Sequence, residues 1–184
     1  MMDKIIQQNL ADIHSGDREL QGQAFLHLLS LTDQPVDWAY EAWDGLVTDL
    51  GHGENHVRAI AAQLLCNLAK SDPQNRMETT LPALLALTKD ARFVTARHCM
   101  QSLWKVGAAG GKQRSQLVAG IEQRFKECST EKNCTLIRYD IIQSLRNVYG
   151  AAKDESMKEK ALALIETEPN LKYRKKYAGL WRTR

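Results

Sequence analysis

Five twelve-residue segments of this chain superimpose without a gap. They are LQGQAFLHLLSL from Leu20, VRAIAAQLLCNL from Val57, TARHCMQSLWKV from Thr95, IRYDIIQSLRNV from Ile137 and KYRKKYAGLWRT from Lys172. Their starts lie 37, 38, 42 and 35 residues apart. The ninth position is leucine every time, and the twelfth is Leu31, Leu68, Val106, Val148 and finally Thr183. A period near 40 residues constrains the fold more than any composition does. A unit that short cannot bury an apolar face alone and must stack it on its neighbours.

Apolar residues throughout recur at spacings of three and four, and alternating β-branched runs do not occur, so the chain reads as all-α. Polar or glycine-rich stretches such as TDQP, GHGEN, KSDPQN, GAAGGK, STEKN and TEPN separate about nine or ten helices. Asp33, Asn55, Asp72 and Asp154 are placed as helix starts, and Gly107 and Gly150 as helix stops.

The best-patterned segment, NHVRAIAAQLLCNLA, has Val57-Arg58, Ala61-Ala62 and Leu65; TLIRYDIIQSLRNVYG has Ile137-Arg138, Ile141-Ile142, Ser144-Leu145 and Val148 in the same places. This pattern resembles the HEAT-repeat family. The third unit departs from it at Thr95 and Cys99-Met100, and the last at Lys172 and Lys176. The resemblance implies a right-handed α-solenoid of about 4–5 antiparallel helix pairs, with second helices lining a concave side. On that reading residues 1–184 form one domain, with N-terminal capping helices over residues 1–31 and repeats over 35–70, 74–107, 112–150 and 154–182. The fold implies no single function.

At 100° per residue, positions 1, 5, 8, 9 and 12 of each segment fall within about 100° of arc and form the expected buried stripe. Positions 3, 7 and 10 lie opposite and are expected on the concave face. They are Gly22, Leu26 and Leu29 in the first unit, where a cover is required, and Ala59, Gln63 and Cys66 in the second. The third offers Arg97, Gln101 and Trp104, the fourth Tyr139, Gln143 and Arg146, and the last Arg174, Ala178 and Trp181; Lys105 and Arg182 flank the tryptophans. Guanidinium groups fork onto carboxylates or phosphates, and aromatic faces stack on bases or on arginine. The competing reading folds Trp104 and Trp181 onto adjoining helices and pairs the arginines with Asp140 and other acids.

Charge is divided along the chain. Residues 1–90 carry 6 Lys+Arg against 13 Asp+Glu, and residues 91–184 carry 19 against 9. The C-terminal thirteen residues, KYRKKYAGLWRTR, hold six basic residues, three aromatics and no acid. Three partners follow: an acidic protein or peptide on the basic concave face, nucleic acid on the same face, or a second copy held head to tail by the charge asymmetry.

The first of these leads, as a non-enzymatic protein-binding scaffold. No apolar run approaches the roughly 20 residues of a membrane span, and the polar start suits a cytoplasmic protein. Cys66, Cys99, Cys128 and Cys134 form no CxxC pair and read as free thiols; Cys128 and Cys134 flank one polar turn, which leaves a disulfide or redox pair as the alternative. No cofactor is expected. GAAGGK lacks the Ser or Thr and the preceding strand of a phosphate loop, and HGENH offers too few ligands for zinc. Among enzymes, HEAT-like alkylpurine DNA glycosylases use Trp, Arg and Asp; Trp104, Trp181, Arg97, Arg138 and Asp140 supply those types without aligning to that family's motif.

Overall fold

A computed structural model describes residues 2–182. They form eleven α-helices and two short 3-10 turns, with no strand among the described residues. The helices come in pairs joined by short turns: α1 (Lys4–Asp12) with α2 (Arg18–Leu31), and α3 (Ala39–Asp49) with α4 (Asn55–Leu68). Next, α5 (Met77–Leu87) pairs with α6 (Phe93–Ser102) and its continuation α7 (Trp104–Ala109). Then α8 (Gly111–Glu127) pairs with α9 (Cys134–Ala152), and α10 (Glu155–Glu166) with α11 (Leu171–Gly179). Leu103 divides α6 from α7 but keeps helical angles (φ −55°, ψ −29°), so the two run almost as one helix. The second member of each pair packs on the next: α2 on α4, α4 on α6, α6 on α9 and α9 on α11.

The repeating stripe accounts for that packing. Val57, Ala61, Leu64, Leu65 and Leu68 are buried on α4; Thr95, Cys99, Ser102, Leu103 and Val106 on α6–α7; Ile137, Ile141, Ser144, Leu145 and Val148 on α9. At position 8 the third and fourth units place small buried serines, Ser102 and Ser144, where the second has Leu64. Gly107 is closely packed, since a Cβ there would sit 2.9 Å from Val148 Cγ2 and 3.0 Å from Leu117 Cδ2. Pro82 lies inside α5 and has no N–H for the carbonyl of Glu78. Gln116 Nε2 of α8 donates to that carbonyl at 3.0 Å, so the proline's defect ties the two first helices together.

Several punctuation marks read from the sequence move. Gly107 and Gly150 are not helix stops but lie inside α7 and α9. Helix α9 ends instead at Lys153, in the left-handed region at φ 55°. Asp33 starts no helix, because α3 begins at Ala39. Asp72 and Asp154 do accept helix-start N–H groups, from Arg76 and Met77 and from Ser156. The expected cover over the first unit is partial: Leu29 is half-buried, while Leu26 is 63% exposed.

All four cysteines are free. Burial pushes the Cys66 and Cys128 thiols up to about 12 and Cys99 well above its ordinary value. Cys134 is half-buried, with its sulfur 2.9 Å from that of Cys128. Thiolate is the reactive form. Brief treatment of the native protein with N-ethylmaleimide is therefore expected to give one adduct by mass spectrometry, at Cys134, and four after denaturation. No described helix is long and apolar enough to cross a membrane.

Candidate binding cleft

Arg97 projects from α6 onto the carboxylate of Asp140 on α9, with Nε at 2.8 Å and Nη2 at 3.2 Å from its two oxygens. Gln101 Nε2 lies 3.4 Å from the same carboxylate. Asp140 is only 3% exposed, so its charge depends on this partner. That hydrogen bond in turn holds the guanidinium above its usual pKa. Arg97 and Gln101 are therefore cross-braces between second helices.

Other arginines are engaged in the same way. Arg138 bonds Glu168 at 2.8 Å and the Phe125 carbonyl at 3.2 Å, and its guanidinium carbon lies 4.7 Å from the Phe125 ring centre. Arg58 grips Asp90 at 2.7 and 2.9 Å. Both sit at position 2 of their segments and reach the turn that precedes the next second helix. Arg174, expected on the concave face, donates to the Glu168 carbonyl at 3.0 and 2.8 Å in the turn after α10 and lies 3.6 Å from the Glu166 carboxylate. The Trp, Arg and Asp set considered for a glycosylase is not assembled, because Arg97 and Arg138 are committed to different acids.

Lys105 reaches back to α4, where Arg97 reaches forward to α9. Its ammonium donates to the side-chain oxygen of buried Asn67, and burial pushes its pKa down. Asn67 in turn donates to Thr32 Oγ1 at 3.1 Å, so Lys105 completes a polar network under α2. Tyr139 packs 6.4 Å from the Tyr177 ring, with Lys176 Nζ 4.9 Å above its face.

Arg97 pairs with Asp140 and Arg174 with Glu166, whereas Arg146, like exposed Arg182, has no carboxylate partner within the described residues. Its guanidinium carbon lies 5.3 Å from the Tyr149 ring centre and 5.4 Å from that of Trp181. The two rings sit 5.5 Å apart, tilted. Trp181 lies beyond the end of α11, folded onto α9, with its indole N–H buried and without an acceptor. Arg182 is exposed, and Thr183 falls outside the described residues.

Trp104, Gln143, Arg146, Asn147, Gly150, Ala151 and Leu180 line one cleft of about 590 Å³. Its lining mixes polar Gln143, Arg146 and Asn147 with Trp104, Ala151 and Leu180, and the Arg146 cation lies beside the adjoining Tyr149 and Trp181 rings. Three expected residues (Trp104, Gln143, Arg146) meet there. Asn147, which accepts from Gln143 at 2.9 Å, joins them; it stands with Arg146 where the fourth unit departs from Trp104-Lys105 of the third, though outside the expected concave positions. A second groove of about 530 Å³ crosses α2, α4 and α6, lined by Phe25, Ala59, Gln63, Val94 and His98 among others. The twelve-residue pattern made that surface look featureless. The HGENH turn is engaged locally: His52 Nδ1 accepts from the Glu54 N–H at 3.0 Å, and Glu54 pairs with Arg18 at 2.9 Å.

No protein-family model and no curated protein matches the chain. Similar solved structures include two crystal structures of engineered proteins from the Northeast Structural Genomics Consortium. One has a TM-score of 0.58 at 17% identity, covering 96% of this chain and 77% of that one. The other has a TM-score of 0.54 at 14% identity, covering 98% and 88%. Likeness at such identities speaks for the arrangement of helices alone; this chain is an all-helical protein whose functional reading rests on its own surface.

Proposed function

We propose that the chain is a HEAT-like α-solenoid and a non-enzymatic interaction module, binding an acidic segment of a partner protein in the cleft around Arg146. The pairwise packing of second helices on second helices, at a period near 40 residues, supports the solenoid reading. The observation that carries the functional reading is the state of Arg146. Unlike Arg97 and Arg174 it has no acid partner among the described residues, and it lies beside the Tyr149 and Trp181 rings in the lining of the cleft. An incoming carboxylate gains a forked, charge-assisted contact there, on a cation whose side-chain freedom is already reduced by the two rings. Exposed Lys175, Lys176 and Arg182, close in sequence to Trp181, add a long-range field that favours an acidic approach.

A fluorescein-labelled Glu-rich peptide is expected to bind by anisotropy, and Arg146→Ala to weaken that binding about tenfold or more. A single-stranded oligonucleotide of matched length is expected to bind more weakly than the peptide at physiological salt. Tighter oligonucleotide binding that collapses by orders of magnitude with added salt points instead to nucleic acid as the partner. Equal peptide binding by wild type and Arg146→Ala overturns the reading.

A further inference from the structure

Six large apolar side chains are exposed among the described residues, and five of them sit in the first and last helix pairs. Ile5, Leu20 and Leu26 belong to α1 and α2; Leu162 and Leu171 belong to α10 and α11. Ile5 and Leu171 are 62% and 65% exposed. An array of stacked helix pairs has two ends, and end units ordinarily turn a polar face outwards because nothing packs on them. Here the ends carry five of the six, and the middle only Val94 of α6.

Charge distinguishes those two ends. Asp3, Asp12, Asp17 and Glu19 accept hydrogen bonds only from their own neighbourhood in α1 and α2, and none has a cation partner among the described residues. At the other end, residues 171–182 contain five basic side chains and no acid, while α10 is mixed, with Lys158 and Lys160 beside exposed Glu155, Glu159 and Glu166, so the pair as a whole stays basic. Lys172 and Lys176 lie over tyrosine rings, and Lys175 is exposed.

We propose that these ends are the two halves of one interface: the acidic first helix pair of one copy docks on the basic last helix pair of a second copy, head to tail. Apolar contact from Ile5 and Leu20 against Leu162 and Leu171 supplies the attraction. Charge sets the polarity, because head-to-head or tail-to-tail contact would bring like charges together. The two surfaces differ and do not overlap, so association is open-ended, giving chains or a closed ring according to the rotation between copies. The cleft at Arg146 takes no part, and failure of one proposal leaves the other standing.

Sedimentation of the full chain tests this. At about 50 mM salt the weight-average mass of the wild type is expected to rise with concentration from the monomer value of 20.8 kDa to beyond twice that, and to fall back towards the monomer at about 500 mM. Two variants, each changed only at exposed positions, separate the halves: Ile5→Lys with Leu20→Lys at the head, and Leu171→Glu with Lys175→Glu at the tail. Each is expected to melt within about 2 °C of wild type and to be monomeric alone. An equimolar mixture is expected to form a one-to-one dimer and nothing longer, because one good head and one good tail remain. A wild-type mass that stays at 20.8 kDa up to about 1 mM overturns the proposal whatever the variants do. So does a mixture that stays monomeric, or a single variant that still assembles as wild type does.

Discussion

Arg97→Ala is expected to lower the free energy of unfolding by about 3 kcal/mol, although Arg97 stands on a face where a binding role was expected. The cost arises at the partner. Asp140 keeps a carboxylate at 3% exposure, and without Arg97 only Gln101, at 3.4 Å, remains near its oxygens. A buried charge with no counter-charge must either stay ionised at high cost or take up a proton. For a chain of this size the loss corresponds to about 6–12 °C in Tm. The double variant Arg97→Met with Asp140→Leu is expected to recover most of it, because an apolar pair of similar volume needs no compensation. Thermal unfolding of the two variants checks this. A drop under 1 kcal/mol for Arg97→Ala would mean that water already reaches Asp140.

The other large effect is expected far from the cleft. Trp43 of α3 is 1% exposed, its Nε1–H donates to Thr80 Oγ1 of α5 at 3.0 Å, and Tyr40 meets it edge-on at 5.8 Å. Trp43→Ala is expected to cost about 4 kcal/mol, through lost burial and the cavity left between the helices. Trp43→Phe is expected to cost about 1–2 kcal/mol. It keeps most of the apolar volume, and the Thr80 hydroxyl still donates to the Arg76 carbonyl at 3.1 Å. Denaturant melts of both variants check the order; a Phe variant as unstable as the Ala variant would contradict it.

The repeat made the interior legible. Positions 1, 5, 8, 9 and 12 of the three central segments are buried because a fixed stripe must face the same way in every unit for the units to stack. The acid partners were harder to see. Arg97 finds Asp140 43 residues on, and Arg138 finds Glu168 30 residues on, distances set by stacking and not by any local rule. A usable signal was present: Arg58 and Arg138 share position 2, and an acid, Asp90 or Glu168, stands shortly before each following segment. The last unit misled for a different reason. Its segment aligns on Leu180, but α11 ends at Gly179, so 100° per residue no longer describes Trp181. Tyr177 fills the interior there instead, with Lys172 and Lys176 exposed. The helix-stop reading failed at Gly107 because close packing also selects glycine; Gly150 is uncrowded and nothing in the structure explains it.

The four tryptophans give the central claim a direct readout, since Trp104 and Trp181 border the cleft or its arginine while Trp38 and Trp43 are buried near the N-terminal end. In nitrogen–proton correlation spectra, titration with the Glu-rich peptide is expected to shift the indole signals of Trp104 and Trp181. Those of Trp38 and Trp43 should stay in place, and Arg146→Ala should abolish the shifts. Peptide binding that leaves Trp104 and Trp181 unmoved, or that moves only signals from the groove across α2, α4 and α6, would contradict the account.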